Sequence, residues 1–536
     1  MKAAGPWRNL RPRPSPGPPA GAEQSYYALA RAPARSFAGP APGPQRAPRP
    51  APYPPVFRAI KQFFGNISFV VLLNLAVKPG WILVENLVQD RLGHAAFGLV
   101  AALSALAVAV AALADLGLTP YAVQRLAAEP DFLGQEFPVL LPLRGGLGLA
   151  ALAALLPLGW ALGYRGPQLG LLAAVAAGLL LTQYGQFLRG PVQARQHFNT
   201  DAVLSVLEKA LLLAVLLALL PGGLTLGGYV GARLGAAAFT AVLLYGLMTR
   251  LFGHVRYRWR WGSARAMLRQ SAPFALIVVL YGVNERVDMV MLERLASPAE
   301  AGYYAGAYRW VDAVMMYVWT LLPLFFAKFA AARHDRPAQR ALLWFGQRVV
   351  AVPLLLLVAF VLFRGEMLFW QQRHSTPAEL ARMAQCLRIL FLNVLVHAFF
   401  ALYATLLNST GHVRLVSRLV AVSIVLNLGL NLLTLPRYGA VAAAWNTLIC
   451  AAVVSGGYVA LVRGRTGVPV PWELLARLGA AFGGLCAVWY ALQTFAHLPW
   501  VLESALAALA FAGLVLALGV VRPAELRQLR RGGAGR

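Results

Sequence analysis

The chain has 536 residues, 59% hydrophobic and 13% charged, with a mean hydropathy of +0.62, more apolar surface than a soluble fold carries. The fold class this predicts is an all-α polytopic membrane protein. A formal charge of +28 would suit nucleic acid, but the basic residues lie in short loops and tails where anionic lipid headgroups attract them, which excludes nucleic acid as a partner.

Residues 1–58 read as a basic, proline-rich disordered tail. The first 55 residues hold fifteen of the 35 prolines, eight Lys or Arg and one acid, Glu23, and so cannot build a core. The alternative is that this stretch is not translated. Met248 is the next methionine after Met1, so a start near Val56 would need a non-ATG codon.

Apolar segments of about 20 residues, each able to cross a hydrocarbon core of about 30 Å, then recur along the chain. Fourteen are predicted: near 63–86, 95–117, 137–163, 167–188, 201–220, 225–249 and 271–293, then near 303–328, 341–363, 382–408, 413–434, 438–462, 473–493 and 499–521. Gly166 and Pro167 alone separate the third from the fourth. The expected organisation is a six-helix lobe at 59–250, a basic cytoplasmic linker at 251–270, a second six-helix lobe at 271–465, an extra helix pair at 466–522 and a basic tail at 523–536.

Lys and Arg in the connections orient the chain. One alternate set of loops carries seventeen and the other six, and both Arg-rich termini fall with the larger set, which predicts cytoplasmic N- and C-termini. The stretch HVRYRWRWGSARAMLRQ (254–270) belongs to that set. It reads first as a topology-fixing interfacial segment anchored by Trp259 and Trp261, and second as a lipid-phosphate site.

Two passages echo each other. RLGHAAFG (91–98) joins the first span to the second, and RLASPAEAG (294–302) joins the seventh to the eighth; a weaker echo links 219–232 with 432–444. An offset of six helices is what a duplicated six-helix half would produce.

An ionisable group at mid-membrane costs roughly 2.5 to 3.5 kcal/mol, so each asks for a partner or a wet cavity. Lys78, Arg144, Arg233, Arg286, Arg309 and Arg388 are candidate lumen cations for an anionic substrate, since guanidinium groups match phosphate oxygens in a bidentate fork. Lys78 sits in VKPGW, where Pro79 and Gly80 should kink the first helix. Asp115, Glu285, Asp288 and Asp312 are candidate ion-coupling acids. Helical spacing puts Glu285, Arg286 and Asp288 on one side of the seventh span and Tyr304, Tyr308, Arg309 and Asp312 on one side of the eighth, so Arg286 with Asp312, or Arg309 with Asp288, could pair as structural locks instead.

No nucleotide loop, zinc motif or nucleophile elbow is present, the eight histidines are scattered, and Cys386, Cys450 and Cys486 all lie in apolar segments. No catalytic residue, metal or cofactor is expected, and the chain does not read as an enzyme.

ERVDMVML with AGYYAGAYR (285–292 and 301–309), LLNSTGH (406–412), NLLTLPRYGAVAAAWNT (431–447) and, in the first two spans, KPGWILVENLVQDRLGHAAFG with ADLGL resemble the lipid-linked oligosaccharide flippases of the O-antigen and capsule type, within the multidrug, oligosaccharidyl-lipid and polysaccharide (MOP) exporter superfamily. The resemblance covers about 60–465. It implies two lobes around a central cationic cavity that opens to alternate sides of a bacterial inner membrane and flips a polyprenyl-pyrophosphate-linked oligosaccharide for cell-surface polysaccharide (lipopolysaccharide) synthesis. Arg286 and Arg309 match charged positions of the family pattern and Lys78 lies in its first helix, so the resemblance implies these three as candidate lumen residues. Membrane lipids, a polysaccharide polymerase and glycosyltransferases are the partners it implies. The alternatives are a lipid II flippase, a multidrug exporter of the same superfamily, whose cavity should be anionic, and a membrane polysaccharide polymerase or glycosyltransferase, which should carry a large external loop.

Overall fold

The computed structural model describes residues 80–521 except 130, 195–197, 253–256, 285–286 and 497; the N-terminal tail, the start of the first span and the last fifteen residues lie outside the described residues. Among the described residues there is no strand. The helices used below are α1 (80–92), α2 (His94–Asp115), α3 (Phe137–Ala161), α4 (Pro167–Leu188), α5 (Phe198–Leu219), α6 (Leu226–Phe252), α7 (Trp261–Asn284), α8 (Val287–Leu295), α9 (Pro298–Ala331), α10 (Arg336–Arg364), α11 (Pro377–Ser409), α12 (Val413–Arg465), α13 (Trp472–Ala491) and α14 (Trp500–Ala517). Among the described residues, ten helices are long and apolar enough to cross a membrane. The chain is an all-α polytopic membrane protein; beside the expected fourteen crossings stand these ten helices, one of which, α12, is two antiparallel arms.

Local sequence sets several boundaries. Ser297-Pro-Ala-Glu and Thr376-Pro-Ala-Glu are the same device twice: the hydroxyl accepts from the amide three residues on (3.2 Å to Glu300 N, 3.3 Å to Glu379 N) while proline fills the first helical position. At Thr376, Glu379 reaches back to the Thr376 amide at 2.8 Å, which closes a capping box. These caps start α9 and α11 about five residues before the apolar runs begin. Gly166 and Pro167 divide α3 from α4 where their punctuation places the break. In the stretch read as linker, helix α7 already begins at Trp261; the seventh apolar run is described as helix to Asn284 (α7) and from Val287 (α8).

α12 has 53 residues but is two arms. Gly439, just after Pro436, adopts φ 59° and ψ −137°, a backbone that favours glycine. The Asn446 amide donates to Asn431 Oδ1 at 2.8 Å, although fifteen residues of straight helix would separate them by about 22 Å, so the arms run antiparallel. Glu300 accepts from the Ala440 amide at 2.7 Å, satisfying a donor freed at the break, and Arg382 holds Glu300 at 2.8 Å.

In the N-terminal half α2 packs on α3 and α4, and α4 on α6; in the C-terminal half α9 packs on α11, and α11 on α10 and α12. The halves meet where α2 lies against α7, α8 and α9. The α13–α14 pair docks on α10, with Trp489 stacked on Phe363 at 6.0 Å and buried Glu503 paired with Arg364. Outer faces expose Leu149, Val242, Val425 and Leu433, as lipid-facing helices do.

Candidate functional site

One end of the bundle, formed by the turns at 93, 297 and 375, is closed by contacts between the halves. α2 and α9 cross at two glycines. A Cβ on Gly98 would stand 1.9 Å from the Pro298 carbonyl oxygen, and one on Gly302 2.0 Å from the His94 carbonyl oxygen. Only two residues without side chains permit that approach. Each glycine closes one of the two echoed passages, and each meets the counterpart of its own neighbour: 98 touches 298, and 302 touches 94. That reciprocity is the mark of a local two-fold relation.

Polar groups complete the seal. The Arg309 guanidinium donates to Asn86 Oδ1 and Gln89 Oε1, both at 2.6 Å, with Phe97 beneath it at 4.7 Å. Gln89 donates to the Gly302 carbonyl at 2.9 Å, and Gln372 to the Asn86 carbonyl at 2.9 Å. The His374 amide donates to Asp90 Oδ1 at 2.9 Å, its ring Nδ1 lies 2.7 Å from Asp90 Oδ2, and Ser375 Oγ stands 2.8 Å from His94 Nε2. On the far side of α2, Tyr164 donates to buried Glu293 at 2.9 Å, and Arg294 covers the Tyr164 ring at 3.6 Å.

The sequence-derived cations are dispersed. Lys78 and Arg286 lie outside the described residues, as does Glu285, so the Arg286–Asp312 pair does too. Arg309 reaches across the halves to Asn86 and Gln89, not along its own hairpin to Asp288. Arg144 is buried against Asp115 at 3.2 Å and donates to Gln183 at 3.0 Å; Thr119 also donates to Asp115 at 2.5 Å. A candidate lumen cation and a candidate coupling acid thus bind each other. Arg233 is 36% exposed, donates to Tyr229 at 2.9 Å and lies 3.9 Å from Glu85, which also accepts from Tyr229 at 3.2 Å. Arg388 donates to the Leu362 carbonyl at 3.0 Å and pairs with Glu366, on the side of α11 turned toward α10.

Beyond the seal, between α8, α9, α11 and both arms of α12, lies a cleft of about 350 Å³ whose wall mixes polar and apolar side chains. Asp288 and Asp312 both line it, as do His397 and Asn393. Asp288 accepts from Tyr304 at 2.7 Å, Tyr304 lies 3.1 Å from Thr447, and behind them Asn446, Asn431 and Asn427 are linked by hydrogen bonds of 2.8 and 2.6 Å. The buried amides Asn86, Gln89, Asn393 and Asn431 were not singled out by sequence: a neutral amide inside an apolar run is less conspicuous than a charge. Among the described residues no three His, Cys, Asp or Glu side chains converge as a metal site.

Residues 64–327 match the polysaccharide biosynthesis protein family. That span is just under half of the chain. No curated protein matches the sequence. Among solved structures, the lipid II flippase MurJ in an inward closed conformation superposes with a TM-score of 0.62 at 14% identity, covering 83% of this chain and 98% of that one. An inward-facing multidrug resistance MATE family transporter of the MOP superfamily superposes at 0.59 with 15% identity, covering 75% and 100%. A MOP superfamily transporter from Pyrococcus furiosus, described as having a binding pocket of reverse polarity, superposes at 0.56 with 16% identity, covering 77% and 96%. At these identities the likeness is one of fold alone.

Proposed function

We propose that the chain moves a polyprenyl-pyrophosphate-linked oligosaccharide across a bacterial inner membrane by alternating access, for cell-surface polysaccharide synthesis, with no chemical change to the substrate. The observation that carries this reading is the pairing of a seal at one end, made between the two halves by Gly98, Gly302, Arg309 and Asp90, with a cleft just beyond it whose wall carries polar side chains. A membrane protein closed at one end with polar space behind the closure is built to take a polar headgroup from one side and release it to the other. The match of residues 64–327 to the polysaccharide biosynthesis protein family supports a glycan as that headgroup.

Residues 59–250 rock against residues 271–465, the 93/297/375 end faces outward, and both termini are cytoplasmic. Arg309, freed when the seal opens, and Arg233, a third exposed, meet the pyrophosphate with Lys78 and Arg286, while the lipid tail stays in the bilayer. Asp288, with Tyr304 as its donor, is the coupling acid best placed on the cleft.

The test is translocation of a fluorescent polyprenyl-pyrophosphate oligosaccharide in proteoliposomes, wild type against Lys78→Ala, Arg286→Ala and Arg309→Ala at matched insertion. Transport by wild type and its loss in the variants is the expected result. Normal transport by all three variants removes the cations from the substrate path, and no transport by wild type overturns the assignment.

A further inference from the structure

The cleft in the C-terminal half has a shape and a set of unsatisfied groups that a lone coupling ion does not account for. On α9 its wall runs from Tyr308 to Leu322, fourteen positions or about 21 Å at 1.5 Å per residue. On α11 it runs from Asn393 to Asn408, a similar length. The void is therefore a trough along the bundle axis, whereas a cation site draws several oxygens onto one point.

Two carbonyl oxygens in the wall lack a partner. Asn393 Oδ1 and Asn408 Oδ1 are buried without a hydrogen bond, and Asn393 is 7% exposed. A buried acceptor left unmade costs about 1–3 kcal/mol, and buried amides are ordinarily bonded. The orphans lie fifteen positions apart on one helix, about 22 Å. One small donor cannot serve both. Between them Trp319, 44% exposed, presents its indole to the trough, and Ser423 and Ser455 add hydroxyls from the two arms of α12. Neutral carbonyl acceptors spaced along a trough, with a flat aromatic face between, fit a ligand that offers a row of hydroxyl or amide donors and apolar C–H faces.

Resting on the flippase reading above, we propose that this trough is the glycan subsite: it takes the saccharide portion of the lipid-linked substrate, with Asn393 and Asn408 accepting from hydroxyl or acetamido donors and Trp319 stacking on a sugar face. The trough then selects for glycan length, a property separate from recognition of the pyrophosphate.

The experiment compares two lipids in proteoliposomes, polyprenyl pyrophosphate carrying one N-acetylglucosamine and the same lipid carrying four, for wild type, Asn393→Leu, Asn408→Leu and Trp319→Phe. In parallel, soluble chitotetraose is titrated against the purified full chain and tryptophan fluorescence is followed. The expected result is that each Asn variant moves the four-sugar lipid about tenfold more slowly, the effect of one lost hydrogen bond, while the one-sugar lipid is unaffected; quenching by chitotetraose is saturable in wild type and absent in Trp319→Phe. Equal slowing of both lipids, or no change for either, overturns the subsite while the flippase reading stands. If wild type moves neither lipid but still shows the Trp319-dependent quenching, the flippase reading fails and sugar binding by the trough survives. Absence of saturable quenching in wild type makes the trough a water-filled vestibule and overturns the proposal.

Discussion

Gly98 of α2 and Gly302 of α9, 204 positions apart in the chain, touch so closely that neither backbone leaves room for a methyl group. Their approach lets Arg309 reach Asn86 and Gln89, and lets His374 reach Asp90. The closed end of the protein depends on that one crossing.

Gly98→Val should therefore hold the two halves apart at this end. Spin labels on exposed Arg91 and Arg373 report the separation: a single short distance is expected in the parent, and a longer, broader distribution in the valine variant, together with loss of transport at normal insertion. An unchanged distance distribution would show that α2 and α9 can slide to accept the side chain, and that the glycine crossing does not control closure.

The Arg309–Asn86 hydrogen bond involves a buried charge and should be worth about 1.5–3 kcal/mol. A double-mutant cycle of Arg309→Gln and Asn86→Leu, read by unfolding in detergent, should return a coupling energy in that range. A value near zero would mean the 2.6 Å contact adds nothing to the closed state.

Asp115 and Arg144 should behave as a buried structural pair. Arg144→Met alone is expected to cost about 3–5 kcal/mol by stranding the carboxylate, and adding Asp115→Leu should recover most of it. The double variant should transport at close to the wild-type rate. If it folds and yet transports nothing, the pair belongs to the substrate or ion path.

Asp288→Asn should separate binding from coupling. Exchange of labelled substrate down its own gradient should persist, while stimulation by an imposed sodium or proton gradient should vanish; Tyr304→Phe, which removes the 2.7 Å hydrogen bond to Asp288, should weaken it. Gradient stimulation that survives in Asp288→Asn would move the coupling site elsewhere.

The sequence by itself determined what local chemistry controls. Apolar runs of membrane length specify helices wherever the backbone must bond internally, Gly166-Pro167 separates two of them, and the paired Pro-Ala-Glu caps start α9 and α11. The echo between 91–98 and 294–302 also carried long-range information: residues near a two-fold relation meet the counterparts of their own neighbours, which is how Gly98 and Gly302 come to face each other. The destination of each charge was not legible in the same way. Helical spacing places Arg309 on the side of α9 that also carries Asp312, yet whether its guanidinium meets a carboxylate on the same hairpin or two neutral amides on α1 depends on how α2 crosses α9, a contact 204 residues apart in the chain. The same packing sets Arg144 against Asp115, turns Arg388 toward α10, and leaves Asn393 and Asn408 facing a trough. Periodicity assigns a residue to a face of its helix; which face becomes wall, seal or lipid boundary is decided only when the helices pack.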